Sequence, residues 1–549
     1  MKIDRIKIIN FKCFKGEFNL SLKEGLNILV GKNEAGKSTI LEAIHLALTG
    51  IFNGRYIKNE LTQYLFNIGV VLEYFKDLAD GRLVPPPSIL IELYFKTNDF
   101  AEFDGKNNAE KCDSSGLSFR IAFDEGYKEE YEHLVRGGGI KSLPVEYYNI
   151  FWRSFAGKDI TAKSIPIKPA FIDSSTNRYQ NGSDIYVSRI VHDILEPKEI
   201  VEISQAHRTM RDSFMNCPTI KVINEKIRSG AKISDKKIEL SVELLSKNAW
   251  ENSLMTYLDN VPFHFIGKGE QSTVKTKLAL GHKKAKEASL LLLEEPENHL
   301  THAKLNRLIG DINAEQKERQ IIISTHNSFV ANKLGLDNLI LLNDGKPTCF
   351  GNLTPDTESF FEKIAGYDTL RLVLCKKAIL VEGDSDELIV QKAYQIKYGK
   401  LPIEDEVDVI SVGTSFLRFL EVAEKIGKPI AVVTDNDGDV EGLKTKYGNY
   451  LGPKAKDFII ICFNDAVDPG TPQVSGELFN RNTLEPEMLK ANGLEAMNYL
   501  LDKTYTSEDD LLRYMRANKT ECALKIFKAT DTVSFPQYIV NAIEWVSVN

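Results

Sequence analysis

The fold of this chain is decided by the stretch Gly31-Lys32-Asn33-Glu34-Ala35-Gly36-Lys37-Ser38. An apolar run at residues 26–30 precedes it, and residues 39–44 follow it with the spacing of a helix. A strand, a glycine-rich turn that ends in Gly-Lys-Ser and a helix together form a phosphate-binding P-loop. The glycines let backbone N–H groups point inward at an anion, and the first turn of the helix adds its positive end.

We expect the side chains of this loop to bind ATP and its metal ion. Lys37 is predicted to reach the β- and γ-phosphates, and Ser38 to coordinate Mg²⁺. Asn33, Gly36 and Thr39 complete the predicted nucleotide-binding set. A glycine-rich turn without a ligand is the alternative, and it is disfavoured because the strand and the helix lie where the motif needs them.

Composition and charge limit the class of protein. The 549 residues correspond to about three or four domains, and 43% hydrophobic with 27% charged residues is ordinary for a globular chain. Seven scattered cysteines without a C-x-x-C pair argue against a zinc knuckle or a disulfide framework. With no membrane-length apolar run and no signal peptide, we expect a cytoplasmic protein without membrane contact. The net charge of −8 requires any nucleic acid to bind a local basic surface.

The middle of the chain predicts one P-loop domain interrupted by an insertion. Residues 1–165 alternate as strands around the P-loop, and Gln63 within them is a candidate sensor of the nucleotide metal or an ordinary surface glutamine. Residues 166–236 carry helical spacing, which predicts a helical insertion that acts as a dimerisation arm or as a lid on its own domain. Strand character returns after residue 236, so residues 237–372 are predicted to complete the domain.

Two acidic residues follow the buried apolar run at residues 290–293. This is the Walker B pattern, in which the first acid holds the magnesium ion and the second orients or deprotonates the attacking water. We assign the first role to Glu294 and the second to Glu295. An acidic strand end that only caps the next helix is the alternative.

Two further motifs resemble those of ABC-type ATPases. Gly267, Gly269 and Gln271 match the signature motif in part, although the usual Ser-Gly-Gly-Gln core is absent. His326 follows another buried run, residues 320–323, where that family places a switch histidine. The resemblance implies that Gly267 and Gly269 contact nucleotide from a partner subunit, that His326 contacts the γ-phosphate, and that ATP is held between two protomers.

Strands and helices alternate again in the C-terminal part, residues 373–549. The alternation predicts a parallel sheet with Glu382, Asp435 and Asp437 at the carboxyl ends of its strands, where such sheets bind ligands. Clustered carboxylates repel one another unless a cation neutralises them, and Mg²⁺ or Mn²⁺ suits oxygen ligands. Two ions about 4 Å apart would clamp the attacking and leaving oxygens of a phosphodiester.

The pattern Val381-Glu382-Gly383-x-x-Asp386, followed by Asp435-x-Asp437, resembles the Toprim domain of topoisomerases, primases and some nucleases. The resemblance implies that Glu382, Asp386, Asp435 and Asp437 bind metal, with Glu382, Asp435 and Asp437 also catalytic. Glu485 is a candidate further ligand. Lys519 is a candidate for stabilising transition-state charge or an ordinary lysine on a solvated helix. A mononucleotide-type α/β domain with solvent-facing acids is the alternative for the whole part.

The order of these motifs resembles the OLD (overcoming lysogenization defect) family. The resemblance implies an α/β fold: an ABC-type P-loop ATPase domain with an inserted helical dimerisation element, then a Toprim domain. It implies a DNA endonuclease or nickase that uses ATP and Mg²⁺ (or Mn²⁺), forms homodimers or larger oligomers and often serves anti-phage defence. Members act alone, with a UvrD-like helicase, or with a retron reverse transcriptase and its DNA, and all three partnerships stay open.

Two other functions are weighed against this one. An SMC-like DNA-binding ATPase with a Toprim domain that does not cut DNA is possible in principle, but the chain lacks the long heptad arms of SMC proteins. A topoisomerase or primase would need a catalytic tyrosine domain or a template-binding module, and we identify neither in the sequence.

Overall fold

A computed structural model defines the fold in two compact units. It describes residues 1–82, 84–96, 100–136, 140–173, 179–180, 183–184, 195–230, 240, 257–271, 274, 288–298, 300–315, 319–343, 345–351, 353–364, 369–470, 473–474, 477–530 and 532–548. Unit 1 comprises residues 1–325 with 344–346, and unit 2 comprises residues 326–343 with 347–549.

Unit 1 combines two larger sheets with several helices. Its strands are β1 (Ile3–Ile9), β2 (Glu17–Ser21), β3 (Leu26–Gly31), β4 (Ile51–Phe52), β5 (Arg55–Tyr56), β6 (Ile89–Phe95), β7 (Asp104–Gly105), β8 (Ser114–Phe123), β9 (Tyr148–Ser154), β10 (Pro169–Asp173), β11 (Tyr179–Gln180), β12 (Ser183–Asp184), β13 (Tyr257–Leu258), β14 (Val261–Pro262), β15 (Leu290–Glu294) and β16 (Gln320–Ser324). Its helices are α1 (Lys37–Thr49), α2 (Ile57–Glu60), α3 (Ile68–Ala79), α4 (Lys128–Arg136), α5 (Pro197–Asn216), α6 (Pro218–Gly230) and α7 (His302–Glu315).

The first sheet is antiparallel and contains the strands that alternate in the sequence. Its order is β2-β1-β6-β8-β7, and β9 also pairs with β8, over Leu117–Phe123. The register places Ile6 of β1 opposite Leu93 of β6 and Leu20 of β2. All three side chains are buried, which is the burial that a period of two predicts for one face of a sheet.

The second sheet holds the P-loop strand. Four strands of unit 1 run parallel in the order β10-β15-β16-β3. Strands β3, β15 and β16 are almost entirely buried, as strands covered on both faces must be. Helix α1 packs against β6 of the first sheet and against β10 and β15 of the second. Its apolar residues therefore lie in the core between the two sheets.

The segment with predicted helical spacing contains both a strand and helices. Strand β10 lies within residues 166–236, and it pairs in parallel with β15. Of its apolar residues Ala170, Phe171 and Ile172, only Ile172 is buried, and a run this short does not by itself distinguish a strand from part of a helix. The helices of the segment are α5 and α6, which pack on each other. Residues 237–239 and 241–256, where the sequence predicts that the P-loop domain resumes, lie outside the described residues.

Unit 2 is an α/β unit. Its strands are β17 (Leu339–Asn343), β18 (Lys346–Cys349), β19 (Lys377–Val381), β20 (Val407–Ser411), β21 (Ile430–Val433), β22 (Ile459–Cys462), β23 (Gln473–Val474) and β24 (Glu477–Leu478). Its helices are α8 (Ser328–Lys333), α9 (Pro355–Lys363), α10 (Thr369–Leu374), α11 (Asp384–Tyr398), α12 (Phe416–Ile426), α13 (Val440–Lys446), α14 (Leu484–Asn492), α15 (Leu494–Leu500), α16 (Glu508–Ala517), α17 (Lys519–Lys528) and α18 (Gln537–Val548).

A parallel sheet of order β20-β19-β21-β22 organises unit 2. Helix α18 packs on β21 and β22, and α11 packs on β20 and on α17. Leucine, isoleucine, valine and methionine side chains from this sheet, from α11 and from α14 to α18 form one buried core. Because all four strands run in the same direction, the residues that follow β19 and β21 meet at one edge of the sheet.

The helices of the described residues include none that is both long and apolar enough to span a bilayer.

Candidate active site

The P-loop forms between β3 and α1. Lys37, the first residue of α1, is only 5% exposed. Its Nζ donates hydrogen bonds to the carbonyl oxygens of Gly31 (2.9 Å) and Lys32 (3.0 Å). Burial lowers the pKa of Lys37, and the nearby charges of Glu295 and Glu294 act in the opposite direction. The ammonium group is thus held inside the loop by backbone carbonyls, a position that fits the binding of a phosphate.

The other predicted loop residues differ in exposure. Asn33 and Ser38 are exposed, as residues that must reach a ligand can be. Thr39 is buried, and its hydroxyl accepts a hydrogen bond from the thiol of Cys13 at 3.4 Å. Gly36 has a φ of +98° and precedes the helix. Thr39 therefore contributes packing within the loop, whereas Asn33 and Ser38 face outward.

We expect Gly36→Ala to lower both stability and ATP affinity. A Cβ at Gly36 would lie 2.5 Å from Cζ of Phe14, in a backbone conformation that L residues rarely adopt. The clash and the strain together should cost about 1–3 kcal/mol of unfolding free energy. Thermal unfolding and a titration with a fluorescent ATP analogue measure the two effects. Gly16→Ala is the control, because Gly16 also has positive φ (+67°) but open space around it. Equal losses in the two variants would contradict the role of the Phe14 contact.

The two Walker B acids lie at the same sheet edge as the P-loop. Glu294 ends β15 and pairs with Ser324, which in turn pairs with Leu29 of β3. The N–H of Glu295 donates to the carbonyl of Ser324 at 3.0 Å. The amide of Asn298 donates to Oε2 of Glu295 at 2.7 Å, which orients that carboxylate. The structure therefore brings together Lys37, Glu294 and Glu295, which were predicted to act on one nucleotide.

The remaining predicted nucleotide residues have local contacts. Oε1 of Gln63 accepts from the N–H of Leu143 at 2.9 Å. Gly267 is exposed, with open space where a side chain would lie. Gly269 lies in the helical turn that follows Gly267, and the buried Gln271 ends the described part of that turn, donating from Nε2 to the carbonyl of Ile266 at 2.8 Å. His326 lies two residues after the end of β16 and is the first residue of unit 2. The roles of Gln63, Gly267, Gly269 and His326 stay predictions.

The predicted carboxylates of unit 2 do form a cluster. Glu382 follows β19, Asp435 and Asp437 follow β21, Asp386 lies in the first turn of α11, and Glu485 lies in the first turn of α14. The negative charge of Glu485 raises the pKa of Glu382, Asp386 and Asp435. The charge of Asp437 also raises the pKa of Glu382. We call these five residues the carboxylate cluster.

Electrostatics in the cluster penalise negative charge. Loss of hydration is the main cause, and it raises the pKa of Asp386 to about 6 and the pKa of Asp435 well above its usual value. The neighbouring carboxylates raise both further. Glu382 also has a raised pKa, first from partial burial and then from the charge of Asp437. A dication would relieve this repulsion.

Hydrogen bonds hold individual carboxylates in place. The N–H of Leu484 donates to Oδ2 of Asp435 at 3.1 Å, and the hydroxyl of Tyr538 lies 3.4 Å from Oδ1. The N–H of Gly383 donates to Oδ2 of Asp386 at 3.1 Å. Asp435 is thereby fixed by α14 and α18, and Asp386 by the backbone at the start of α11.

Glu485 and Lys519 form an ion pair with each other. Nζ of Lys519 lies 3.2 Å from Oε1 of Glu485, with side-chain exposures of 50% and 8%. The predicted fifth ligand and the predicted catalytic lysine thus meet across about 30 residues of sequence, at the start of α14 and the start of α17. Lys519 has one partner in the site and still reaches solvent.

Three residues of the site were missed by the sequence analysis. Lys446, at the end of α13, places its positive charge near Glu382, and its Nζ lies 5.1 Å from the centroid of the buried Tyr447 ring. Asn480 donates from Nδ2 to Oδ1 of Asp437 at 3.0 Å. Tyr538 binds Asp435 from 103 positions away. No motif marks any of them, because all three depend on how distant elements pack.

The donor chemistry of the cluster fits a divalent metal ion. Five carboxylates converge and three have raised pKa values, so a cation bound among them would be favoured electrostatically. In the described part of the chain, however, no three acidic, histidine or cysteine side chains already have a coordinating arrangement. Glu485 is paired with Lys519 and Asp437 with Asn480. Binding a metal through Glu485 and Asp437 would therefore replace these two contacts with coordination.

Two family models match the chain. The AAA domain model matches residues 5–327, which is more than half of the sequence. The model described as the TOPRIM domain of overcoming lysogenization defect protein-like proteins matches residues 373–437. The second match includes Glu382, Asp386, Asp435 and Asp437, and the first includes the P-loop and both Walker B acids. The predicted α/β fold class, a P-loop ATPase domain followed by a Toprim domain, is confirmed.

Curated relatives match short segments. Rad50 DNA double-strand break repair ATPases from Thermoplasma acidophilum and Methanopyrus kandleri are 36% and 50% identical over 74 and 46 residues, 14% and 8% of this chain. The RecF DNA replication and repair protein of Prosthecochloris aestuarii is 50% identical over 54 residues, 10% of this chain. The matches span 8%, 5% and 14% of these relatives' own lengths.

Solved structures that resemble the chain include Smc head domains. One, bound to the C-terminal winged-helix domain of ScpA, is 17% identical, covers 63% of this chain and 96% of its own, and has a TM-score of 0.32. The head domain from Thermotoga maritima is 14% identical, covers 64% and 100%, and has a TM-score of 0.27. Scores this low bear on neither fold nor function. The two family models decide the matter: the chain belongs to the AAA-domain family and has the OLD architecture, an ABC-type ATPase domain followed by an OLD-like TOPRIM domain.

Proposed function

We propose that this protein is an ATP-controlled, metal-dependent DNA endonuclease or nickase. The observation that carries the proposal is the carboxylate cluster at the carboxyl edge of the unit 2 sheet. Glu382, Asp386, Asp435, Asp437 and Glu485 would hold one or two Mg²⁺ or Mn²⁺ ions. Such ions, when bound, neutralise the phosphodiester and lower the pKa of the attacking water.

The chain's own residues would position the reacting groups. Leu484 and Tyr538 hold Asp435, and Gly383 holds Asp386, so two ligands keep fixed directions before any ion arrives. Lys519 would be released from Glu485 when that carboxylate turns to the metal. Its ammonium group would then be available to the scissile phosphate, whose negative charge grows in the transition state.

Lys446→Ala is expected to reduce the cleavage rate. Lys446 adds positive charge beside Glu382, and its ammonium group lies over the rings of Phe416 and Tyr447. Removing a donor to a reacting phosphate should lower kcat by about 10-fold to 100-fold. Lys456→Ala is the matched control, because Lys456 precedes β22 at the opposite edge of the sheet. Initial cleavage rates on a labelled oligonucleotide measure the effect. Equal rates for the two variants would contradict the assignment of Lys446 to the cleavage site.

The ATPase part of the chain, which contains Lys37, Glu294 and Glu295 and is called the P-loop half below, would control cutting. Asn33, Lys37, Ser38 and Glu294 would bind Mg²⁺–ATP, with Glu295 and His326 acting on the γ-phosphate. Gly267 and Gly269 would contact nucleotide in a second protomer. Helices α5 and α6 expose Val201, Met210, Phe214 and Val222, a number of apolar side chains that supports the proposed role of this element in dimerisation.

The proposal also covers the partner of the protein, its biological role and its compartment. DNA as the partner is supported by the repair proteins among the relatives. We propose anti-phage defence as the role, either alone or with a UvrD-like helicase or a retron reverse transcriptase and its DNA. All seven cysteines are free thiols, which supports a reducing cytoplasm.

A second function is favoured by one observation. Among the described residues, no three acidic, histidine or cysteine side chains are already arranged around one metal position. The competing account is an SMC-like DNA-binding ATPase whose TOPRIM domain binds DNA without cutting it. It predicts ATP-dependent retention of DNA and no nicked product with any divalent ion. If the parent cuts DNA and Glu382→Ala does not, the result supports the nuclease and excludes the competing account.

A further inference from the structure

Unit 2 contains a second feature beside the carboxylate cluster, a cavity of about 610 Å³. It lies along β22, the edge strand of the parallel sheet, and between α13 and α18. Its lining includes the aromatic side chains of Phe463 and Tyr538, the amide of Asn541, the carboxylate of Asp465 and the ammonium group of Lys444. The volume is within the range of about 300–1,000 Å³ that is typical of ligand pockets.

The cavity and the cluster share structural elements. Tyr538 lines the cavity, and its hydroxyl lies 3.4 Å from Oδ1 of Asp435. Asn436, inside the Asp-x-Asp motif, donates from Nδ2 to the carbonyl oxygens of Asn464 (2.6 Å) and Ala466 (3.0 Å). Those two residues flank Asp465 in the cavity wall. A ligand in the cavity would therefore lie next to a phosphodiester bound at the cluster.

The side chains that line the cavity are suited to binding a nucleobase. Aromatic side chains stack on the faces of bases, and amide and carboxylate groups form hydrogen bonds with base edges. A free phosphate is disfavoured as the ligand, because the negative charges of Asp465 and the carboxylate cluster outnumber the single positive charge of Lys444. Base-paired DNA is disfavoured as well, because its bases are enclosed in the stack and must leave it to enter a pocket.

We propose that this cavity binds one or two unpaired nucleotides adjacent to the phosphodiester at the carboxylate cluster. The inference rests on the proposed nuclease function and names its substrate class. The protein would bind and cut single-stranded or locally unpaired DNA in preference to an intact duplex. Phe463 would be a stacking residue, and Asn541 would contact the base edge.

The test uses the full-length chain with Ca²⁺ in place of Mg²⁺, so that binding is measured on uncut DNA. Fluorescence anisotropy compares a single-stranded oligonucleotide with its duplex for the parent, Phe463→Ala, Asn541→Ala and the control Tyr499→Ala. Tyr499 is an exposed aromatic residue of unit 2 outside the cavity lining. A 5-iododeoxyuridine in the single strand supplies a photocross-link to the aromatic residue on which it stacks.

The parent should bind the single strand at least about 10-fold more tightly than the duplex. Phe463→Ala should weaken single-strand binding by about 5-fold to 100-fold, Asn541→Ala less, and Tyr499→Ala not at all. The cross-linked peptide should contain Phe463 or Tyr538. Because Asn541 is exposed, its variant reports on the cavity even if Phe463→Ala fails to fold.

Equal affinities for the two DNA forms, or a cross-link outside the cavity, would overturn the inference. If the parent nicks plasmid DNA but binds both DNA forms equally, or cross-links outside the cavity, then the cavity inference fails and the nuclease proposal survives. If the cross-link and the single-strand preference hold but no metal supports cutting, the nuclease proposal fails, and the cavity remains a DNA-binding site.

Discussion

Asp435→Asn is expected to abolish DNA cleavage while making the metal-free protein more stable. The carboxylate is partly buried and is held by Leu484 and Tyr538. Asparagine keeps the shape of the side chain and one oxygen that can accept from the Leu484 N–H, but it removes a metal-binding charge. We expect the cleavage rate to fall by at least about 1,000-fold, because several kcal/mol of transition-state stabilisation depend on the bound ion.

The stability change follows from the raised pKa of Asp435. A carboxyl whose pKa is raised by folding favours the native state only while it is protonated. That contribution is complete below the ordinary pKa of 3.8 and is lost as the pH rises through the native pKa. The variant should therefore unfold at a higher temperature than the parent at neutral pH in EDTA, and the difference should vanish in acid.

Metal binding reverses this order of stability. Mn²⁺ should raise the unfolding temperature of the parent and leave that of Asp435→Asn nearly unchanged. Asp457→Asn is the matched control, because Asp457 is exposed and lies at the opposite edge of the sheet. A cleaving Asp435→Asn protein, or an equal response of the two proteins to Mn²⁺, would contradict the assignment of the metal site.

Lys37→Ala is expected to cause the largest loss in the nucleotide half. The ammonium group has only the carbonyls of Gly31 and Lys32 as hydrogen-bond partners among the contacts described above, and it would exchange them for phosphate oxygens. Losing a charged hydrogen bond should weaken ATP binding by about 10-fold to 100-fold. Hydrolysis should fall by about 1,000-fold, because the same charge stabilises the transition state.

Lys32→Ala separates this effect from a general change of charge in the loop. The Lys32 side chain is exposed, and only its backbone carbonyl meets Lys37. Titration with a fluorescent ATP analogue and a phosphate-release assay measure the two effects. If Lys32→Ala loses as much ATP affinity as Lys37→Ala, the position of the buried ammonium group does not explain binding.

The sequence predicted those parts of the protein that depend on neighbouring residues. The P-loop, both Walker B acids and the strand ends that present Glu382 and Asp435 are each defined within about ten residues, and the pattern of burial follows directly. The register of parallel strands then brings Glu294 and Lys37 to one sheet edge. The fold class followed from such local patterns.

Contacts between distant segments could not be predicted in this way. The Glu485–Lys519 pair and the bond from Tyr538 to Asp435 join helices that meet only through the packed core of unit 2. Lys446 lies on a helix with no motif of its own. Strand β10 was assigned to a helical segment because its apolar run is too short to distinguish a buried strand from part of a helix.

The most direct test of the central claim, that the carboxylate cluster cuts DNA under the control of the P-loop half, is a supercoiled-plasmid assay. The parent and Lys37→Ala are each incubated with Mg²⁺ or Mn²⁺, with and without ATP. We predict nicked product only when metal is present, with a rate that ATP changes in the parent and leaves unchanged in Lys37→Ala. Nicking that persists in EDTA, or the absence of nicked product from the parent with either ion, would contradict the account.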